Sequence, residues 1–240
     1  MSVLATENLV SGYGTMVIVN DVTVKVPPKQ IVLLIGANGS GKSTLVKSTV
    51  GLASLFGGHV YLKGEDISKI ETFKRIKKGI GYVPQGGNTF LGLSVRTNFE
   101  LGSYAAPTAV DVEERIEEMV RIFPNLSDRL ESKVRVLSGG MRQMVALGRA
   151  MMVNPSVLIL DEPTAGMAPM AVKGLLSKIA ELRDAGTTIL LVEQNVKTAV
   201  LFADYVYLMS QGKVIAEFTG AEVGKVDIGD MMLKSMTLRE

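Results

Sequence analysis

The sequence has no cysteine and a single histidine, His59, among 240 residues. Without cysteine there is no disulfide framework, no thiolate nucleophile and no Cys-ligated zinc, a usage that fits a reducing compartment. One histidine leaves no His pair for a metal and no Ser-His-Asp triad. Having no ligand partner, His59 reads as a surface or half-buried structural residue. Nor is there an excess of one charge: 26 Lys+Arg face 24 Asp+Glu, a net charge of +2. Proteins whose main task is gripping nucleic acid carry a marked basic excess, so no nucleic-acid partner is expected. Long apolar runs are missing too. Stretches such as residues 31–35 fall far short of the ~20 residues that span a bilayer. The opening MSVLATENLV lacks the basic start and apolar stretch of a secretory signal.

What is present belongs to a packed chain. Hydrophobic residues make up 47% and charged residues 21%, which argues against disorder and allows one large α/β domain or two small ones. The mean hydropathy of +0.27 is high for a chain without a span. A Val/Ile/Leu-rich parallel sheet accounts for it, and a face docked on another subunit would raise it further.

Alternating β-branched residues at 17–19 and 22–26 predict strands of an antiparallel sheet with one solvated face. Residues 31–35 form a continuous apolar run of the fully buried kind, and residues 44–50 read as a helix stopped by Gly51. Gly57 and Gly58 are expected to open a strand through residues 60–62. Val112, Ile116, Met119, Val120 and Phe123 line one face of a helix that ends at Pro124. A strand at 157–160, a helix near 169–184 and a strand at 187–192 predict right-handed crossovers in a mostly parallel sheet. The basic cluster Lys74, Arg75, Lys77 and Lys78 reads as a solvated helix face. Met141, Met144, Met151 and Met152 read as core or dimer-contact filler.

Three motifs carry chemistry. Gly36, Ala37, Asn38, Gly39, Ser40, Gly41, Lys42 and Ser43 satisfy G-x-x-x-x-G-K-[ST], with a buried strand before and a helix opening at Thr44 after. Glycines let backbone N–H groups turn inward as an anion nest, and the helix N-terminus adds its dipole. Lys42 is placed for the β- and γ-phosphates and Ser43 for magnesium. The second motif is a strand, residues 157–160, that delivers Asp161 and Glu162 side by side before Pro163. Asp161 suits a magnesium shell, and Glu162 suits orienting and polarising an attacking water. The third is Leu137-Ser138-Gly139-Gly140-Met141 ahead of a helix reaching about Met152. Ser138 is a natural N-cap, and Gly139 and Gly140 again free N–H groups for an anion. A second anion-binding helix start makes sense if it completes the nucleotide site of a facing copy.

Phosphate loop, Gln85, LSGGM, LILDEP and the switch position Gln194, in that order, resemble the nucleotide-binding subunit of an ATP-binding cassette (ABC) transporter. The resemblance runs from Tyr13 to about Gly212. It implies a P-loop NTPase (RecA-like) α/β core with an N-terminal antiparallel β-subdomain and an inserted α-helical subdomain. The divisions expected are residues 1–87 and 156–215 for the core, 88–155 for the helical subdomain and 216–240 for a C-terminal tail. It also implies MgATP hydrolysis in a head-to-tail homo- or heterodimer, with ATP held between the phosphate loop of one subunit and Ser138, Gly139 and Gly140 of the other. Tyr13 would stack on adenine. Ser43, Gln85 and Asp161 would hold magnesium, while Glu162, Gln194 and Lys42 would carry the chemistry. Transmembrane permease subunits would be the further partners, and the chain would sit peripherally on the cytoplasmic face of the cell membrane. Within the family, Gly166-Met167-Ala168-Pro169 and Val192-Glu193-Gln194-Asn195 are similar to segments of the ATP-binding subunit for branched-chain amino-acid uptake.

Two positions depart from the family pattern. Gln194 stands where a histidine is usual; it can donate a hydrogen bond but cannot carry a proton in the same way. Met141 stands where glutamine is commoner. Two other readings keep the fold: an ABC ATPase outside transport, and an ATP-gated assembly module with little turnover.

Overall fold

The computed structural model describes residues 2–86, 89–106 and 111–223. Two sheets organise it. Strands β1 (Leu4–Tyr13) and β2 (Met16–Val26) form a hairpin. β3 (Ile31–Gly36) then runs into α1 (Lys42–Val50), and β4 (Ser54–Leu62) returns to the other edge of β1 with the short β5 (Glu65–Asp66) beyond it. After α2 (Thr72–Lys77) and β6 (Ile80–Val83) the chain enters a helical stretch, α3 (Val95–Ser103), α4 (Val112–Ile122) and α5 (Gly139–Met151). β7 (Val157–Asp161), α6 (Pro169–Asp184), β8 (Ile189–Val192), α7 (Val196–Ala199), β9 (Tyr205–Ser210), β10 (Lys213–Thr219) and α8 (Gly220–Val223) complete it. The second sheet has the order β10-β9-β3-β8-β7-β6, parallel throughout except for the antiparallel β10.

Every residue of β3, β7 and β8 is buried, because both faces of this sheet are covered. Alternate residues serve two cores. Ile31, Leu33 and Ile35, with Leu158 and Leu160, pack towards α3–α6. Val32 and Leu34, with Val157 and Ile159, pack towards α1 and the antiparallel sheet. Asp111 caps α4 by accepting from the N–H groups of Glu113 and Glu114. α3 and α5 approach closely at Gly148, where a Cβ would lie 2.6 Å from the Phe99 ring.

The structure differs from the sequence expectations at four places. The two β-branched runs at 17–19 and 22–26 belong to one strand, β2, which is bent by register shifts against β1. β4 begins at Ser54 rather than at the glycine pair; Gly58, at φ +73°, lies opposite a bulge in β1 between Glu7 and Val10. The expected tail starts too early. Residues 216–219 belong to β10, whose every second residue is half-buried against β9, and α8 follows. Residues 224–240 of that tail lie outside the described residues, as do residues 87 and 88 at the expected start of the helical subdomain. Finally, Arg75 is no part of a solvated face. It is 2% exposed and donates to the carbonyls of Ser48, Thr49, Ser68 and Ile70, so a cation in the right register closes the C-terminal end of α1. His59 is exposed and pairs with Asp66, as a structural surface residue would.

Candidate active site

The parallel order β8-β7-β6, with β3 beyond β8, sets four carboxyl ends side by side, and a site residue expected from the sequence follows each. From β3 the chain enters the phosphate loop. Gly36 passes so close to the Met209 carbonyl that a Cβ would lie 2.2 Å from it, and Gly41, at φ +103°, turns the chain into α1. Lys42 is buried and folds back over the loop, donating to the carbonyls of Gly36 (2.8 Å) and Ala37 (3.0 Å). Burial lowers its pKa, against the opposing pull of Glu162 and Asp161. The Ser40 hydroxyl is buried with no hydrogen-bond partner among the described residues.

At the end of β7, Asp161 is fully buried. Its Oδ1 accepts from the Ser43 hydroxyl at 3.0 Å, and its Oδ2 has no partner among the described residues. Burial pushes its carboxyl upward; the Ser43 bond opposes this, and the neighbouring Glu162 charge adds to the rise. Glu162 is the next residue, yet its side chain faces a different environment. Its backbone sits at φ +50°, a conformation costing about 1–3 kcal/mol outside glycine, and its N–H is fixed on Val192 O. Its Oε2 accepts from both Gln85 Nε2 (2.5 Å) and Gln194 Nε2 (2.6 Å), residues 77 and 32 positions away. Gln85 follows β6 and Gln194 follows β8, so strand order alone brings the three together.

The cleft between these groups has a volume of about 500 Å³. Asn38, Gly39 and residues 41–44 form one wall; Gln85, Glu162 and Gln194 form the other. Ile18 of β2 lines it as well, a residue that sequence reasoning passed over. Its place is set by the strand crossing over the loop, where Gly212 approaches so close that a Cβ would lie 2.0 Å from the Ile18 carbonyl. No local signal marks such a contact.

The other expected site residues lie elsewhere. Tyr13 ends β1 half-exposed beside the turn and does not line this cleft. Ser138 caps α5, its hydroxyl accepting from Met141 N–H at 3.3 Å. Ser138 and Gly139 are exposed, Gly140 is half-buried, and none of the three lines the cleft around Lys42.

A buried hydroxyl-bonded carboxylate, a lysine over a glycine loop and a second acid aimed at the cleft form a nucleotide-hydrolysing arrangement. The sequence profile of the family described as ABC transporter matches residues 19–165. The chain belongs to the ABC transporter family. Within it the chain is an ATP-binding, ATP-hydrolysing cassette. It is 36% identical to the high-affinity branched-chain amino acid transport ATP-binding protein BraG of Pseudomonas aeruginosa, over 87% of this chain and 89% of that one. It is 39% identical to the probable branched-chain amino acid transport ATP-binding protein LivF of Archaeoglobus fulgidus, over 92% and 93%. Identity to the lipopolysaccharide export system ATP-binding protein LptB of Escherichia coli K12 is 34%, over 93% of each. Among solved structures, a nucleotide-free cassette of an ABC transporter superposes over both full chains with a TM-score of 0.88 at 30% identity.

Proposed function

We propose that this chain is the motor subunit of a membrane importer for branched-chain or other amino acids. The observation that carries the motor role is that Lys42, Ser43 and Glu162 line one cleft, with Asp161 buried behind Ser43 and hydrogen-bonded to it. A magnesium ion fits the donor set, since Asp161 Oδ2 is buried beside the Ser43 hydroxyl with no hydrogen-bond partner among the described residues. Ser43, Asp161 and Gln85 would hold it, and when bound it neutralises charge on the transferring phosphoryl group. Backbone N–H groups of Gly39, Ser40, Gly41 and Thr44 receive the ATP phosphates. Lys42 exchanges its carbonyl partners for phosphate oxygens. Glu162 orients the attacking water and takes its proton, and Gln194 donates an N–H towards the γ-phosphate or that water.

Two exposed surfaces support partners. Ser138, Gly139 and Gly140 present N–H groups at an exposed helix start, away from this chain's own cleft, as a head-to-tail second subunit requires. Phe90, Leu91 and Leu93, shortly after Gln85, expose apolar side chains that suit docking on permease subunits. Among the described residues no helix is long and apolar enough to cross a membrane. The cassette would attach peripherally through permease subunits, on the cytoplasmic side, as ATP-binding subunits of membrane transporters such as BraG suggest. Tyr13, half-exposed at the strand end, is our adenine contact. Import of amino acids is supported by the likeness to BraG and LivF.

The likeness to LptB favours a second reading, export of a lipid-linked saccharide. Deleting the gene and measuring uptake of labelled leucine separates them. Loss of uptake, restored by the wild-type chain and not by Glu162→Gln, supports the first. Unchanged uptake of leucine and other amino acids overturns it.

A further inference from the structure

We infer that Glu193 is a positioning residue for hydrolysis, tying the switch position Gln194 to the loop that follows β7. The inference rests on the role proposed above for Gln194. Glu193 is 2% exposed, and no ion pair to it is formed among the described residues. Its carboxylate is held by hydrogen bonds alone. Oε1 accepts from Thr164 N–H at 3.0 Å, and Oε2 accepts from the Thr164 hydroxyl at 2.8 Å and from Gln194 N–H at 3.3 Å. Its own N–H donates to Leu34 O at 3.3 Å, on the strand that enters the phosphate loop. One side chain therefore joins the ends of β7 and β8 and is braced against β3.

The consequence falls on Glu162. Residue 162 lies two positions before Thr164, and Gln194 follows Glu193 directly, so both of Glu193's side-chain ties run to segments that frame the Glu162 carboxylate. With those segments fixed, Gln194 Nε2 meets Glu162 Oε2 at 2.6 Å. Without the tie, the backbone bond from Glu162 N–H to Val192 O still joins the two strand ends, but Gln194 loses the bond that fixes its own N–H relative to Thr164. A cleft of about 390 Å³ lined by Gln85, Glu162, Glu193, Gln194 and Gly166 opens beside this contact, so there is room for the amide to swing.

The test is steady-state MgATP hydrolysis by the full chain carrying Glu193→Gln, Thr164→Val, Gln194→Ala or the pair E193Q/Q194A, with thermal melting of each. Glutamine matches glutamate in shape but offers one acceptor oxygen and a donor where two acceptors stood. The expected result for E193Q is a roughly tenfold fall in kcat with KM for ATP within about twofold, the scale of one lost charge-assisted hydrogen bond. T164V removes one donor, keeps the shape, and should lower kcat a few-fold at unchanged KM. Since Glu193 acts through Gln194, E193Q should cost less than about twofold once residue 194 is alanine. A structural role would instead lower the melting temperature and add in full to Q194A. If Q194A itself turns over as wild type, the role of Gln194 fails and this inference with it. If Q194A is slow while E193Q and T164V match wild type, or the E193Q loss adds in full, the inference alone is overturned. Should E193Q fail to fold, T164V and its pairing with Q194A decide by the same criteria.

Discussion

Asp161 and Glu162 are neighbours in sequence with opposite circumstances. Asp161 is sealed in the sheet with one oxygen unpartnered among the described residues, and burial chiefly raises its carboxyl. A raised acid favours its neutral form in the folded chain, so its contribution to stability is greatest below the unfolded pKa and is lost as pH rises through the folded value. At neutral pH without nucleotide or metal, Asp161→Asn should therefore raise the melting temperature, at about 2–4 °C per kcal/mol for a chain of this size. The same substitution should abolish magnesium-dependent turnover; a melting temperature unchanged or lowered would contradict the account of its burial. As pH falls in the chain without nucleotide or metal, the wild-type carboxyl takes up its proton, so the melting advantage of Asp161→Asn should shrink. Glu162→Gln should leave ATP binding within about threefold but cut kcat by at least roughly a hundredfold, read by equilibrium binding and single-turnover kinetics. At this scale the motif residues were legible because their chemistry is local: a glycine loop, a lysine, paired acids. Ile18 and Glu193 were not, since what they touch is decided by strand order.

Elements show the same division. α4 was readable from its 3.6-residue apolar period, and β3 and β7 from unbroken apolar runs that both faces of a covered sheet demand. β4 was misplaced because glycines inside a strand mark a bulge as readily as a turn. β10 was missed because its alternation is weak at an exposed sheet edge. Arg75 is the sharpest failure, since a cation among lysines gives no hint that four carbonyls await it. Arg75→Ala should expose those carbonyls to an empty site and destabilise the fold by about 2–4 kcal/mol in urea unfolding, with Arg75→Lys recovering only part. Gly148→Ala drives a Cβ into Phe99 and should cost about 1–3 kcal/mol. ATP affinity should stay near wild type in G148A, since Gly148 lies in the α3–α5 contact rather than in the cleft; a weakened affinity would contradict that placing.

In the whole molecule, two sheets and a helical stretch gather the proposed catalytic groups at one end of the parallel strands, while Ser138 and Gly139 lie exposed at the start of α5. One chain thus holds a cleft lined by Glu162, Lys42 and the glycine loop, plus a helix start at Ser138 that does not line it. The central claim is that the two meet between copies. It is tested most directly by measuring MgATP hydrolysis of the purified chain across a wide range of protein concentration, with Glu162→Gln beside it. The account predicts specific activity that rises with concentration and a control that stays inactive. Wild type that binds ATP yet remains at the control's level at every concentration would contradict it.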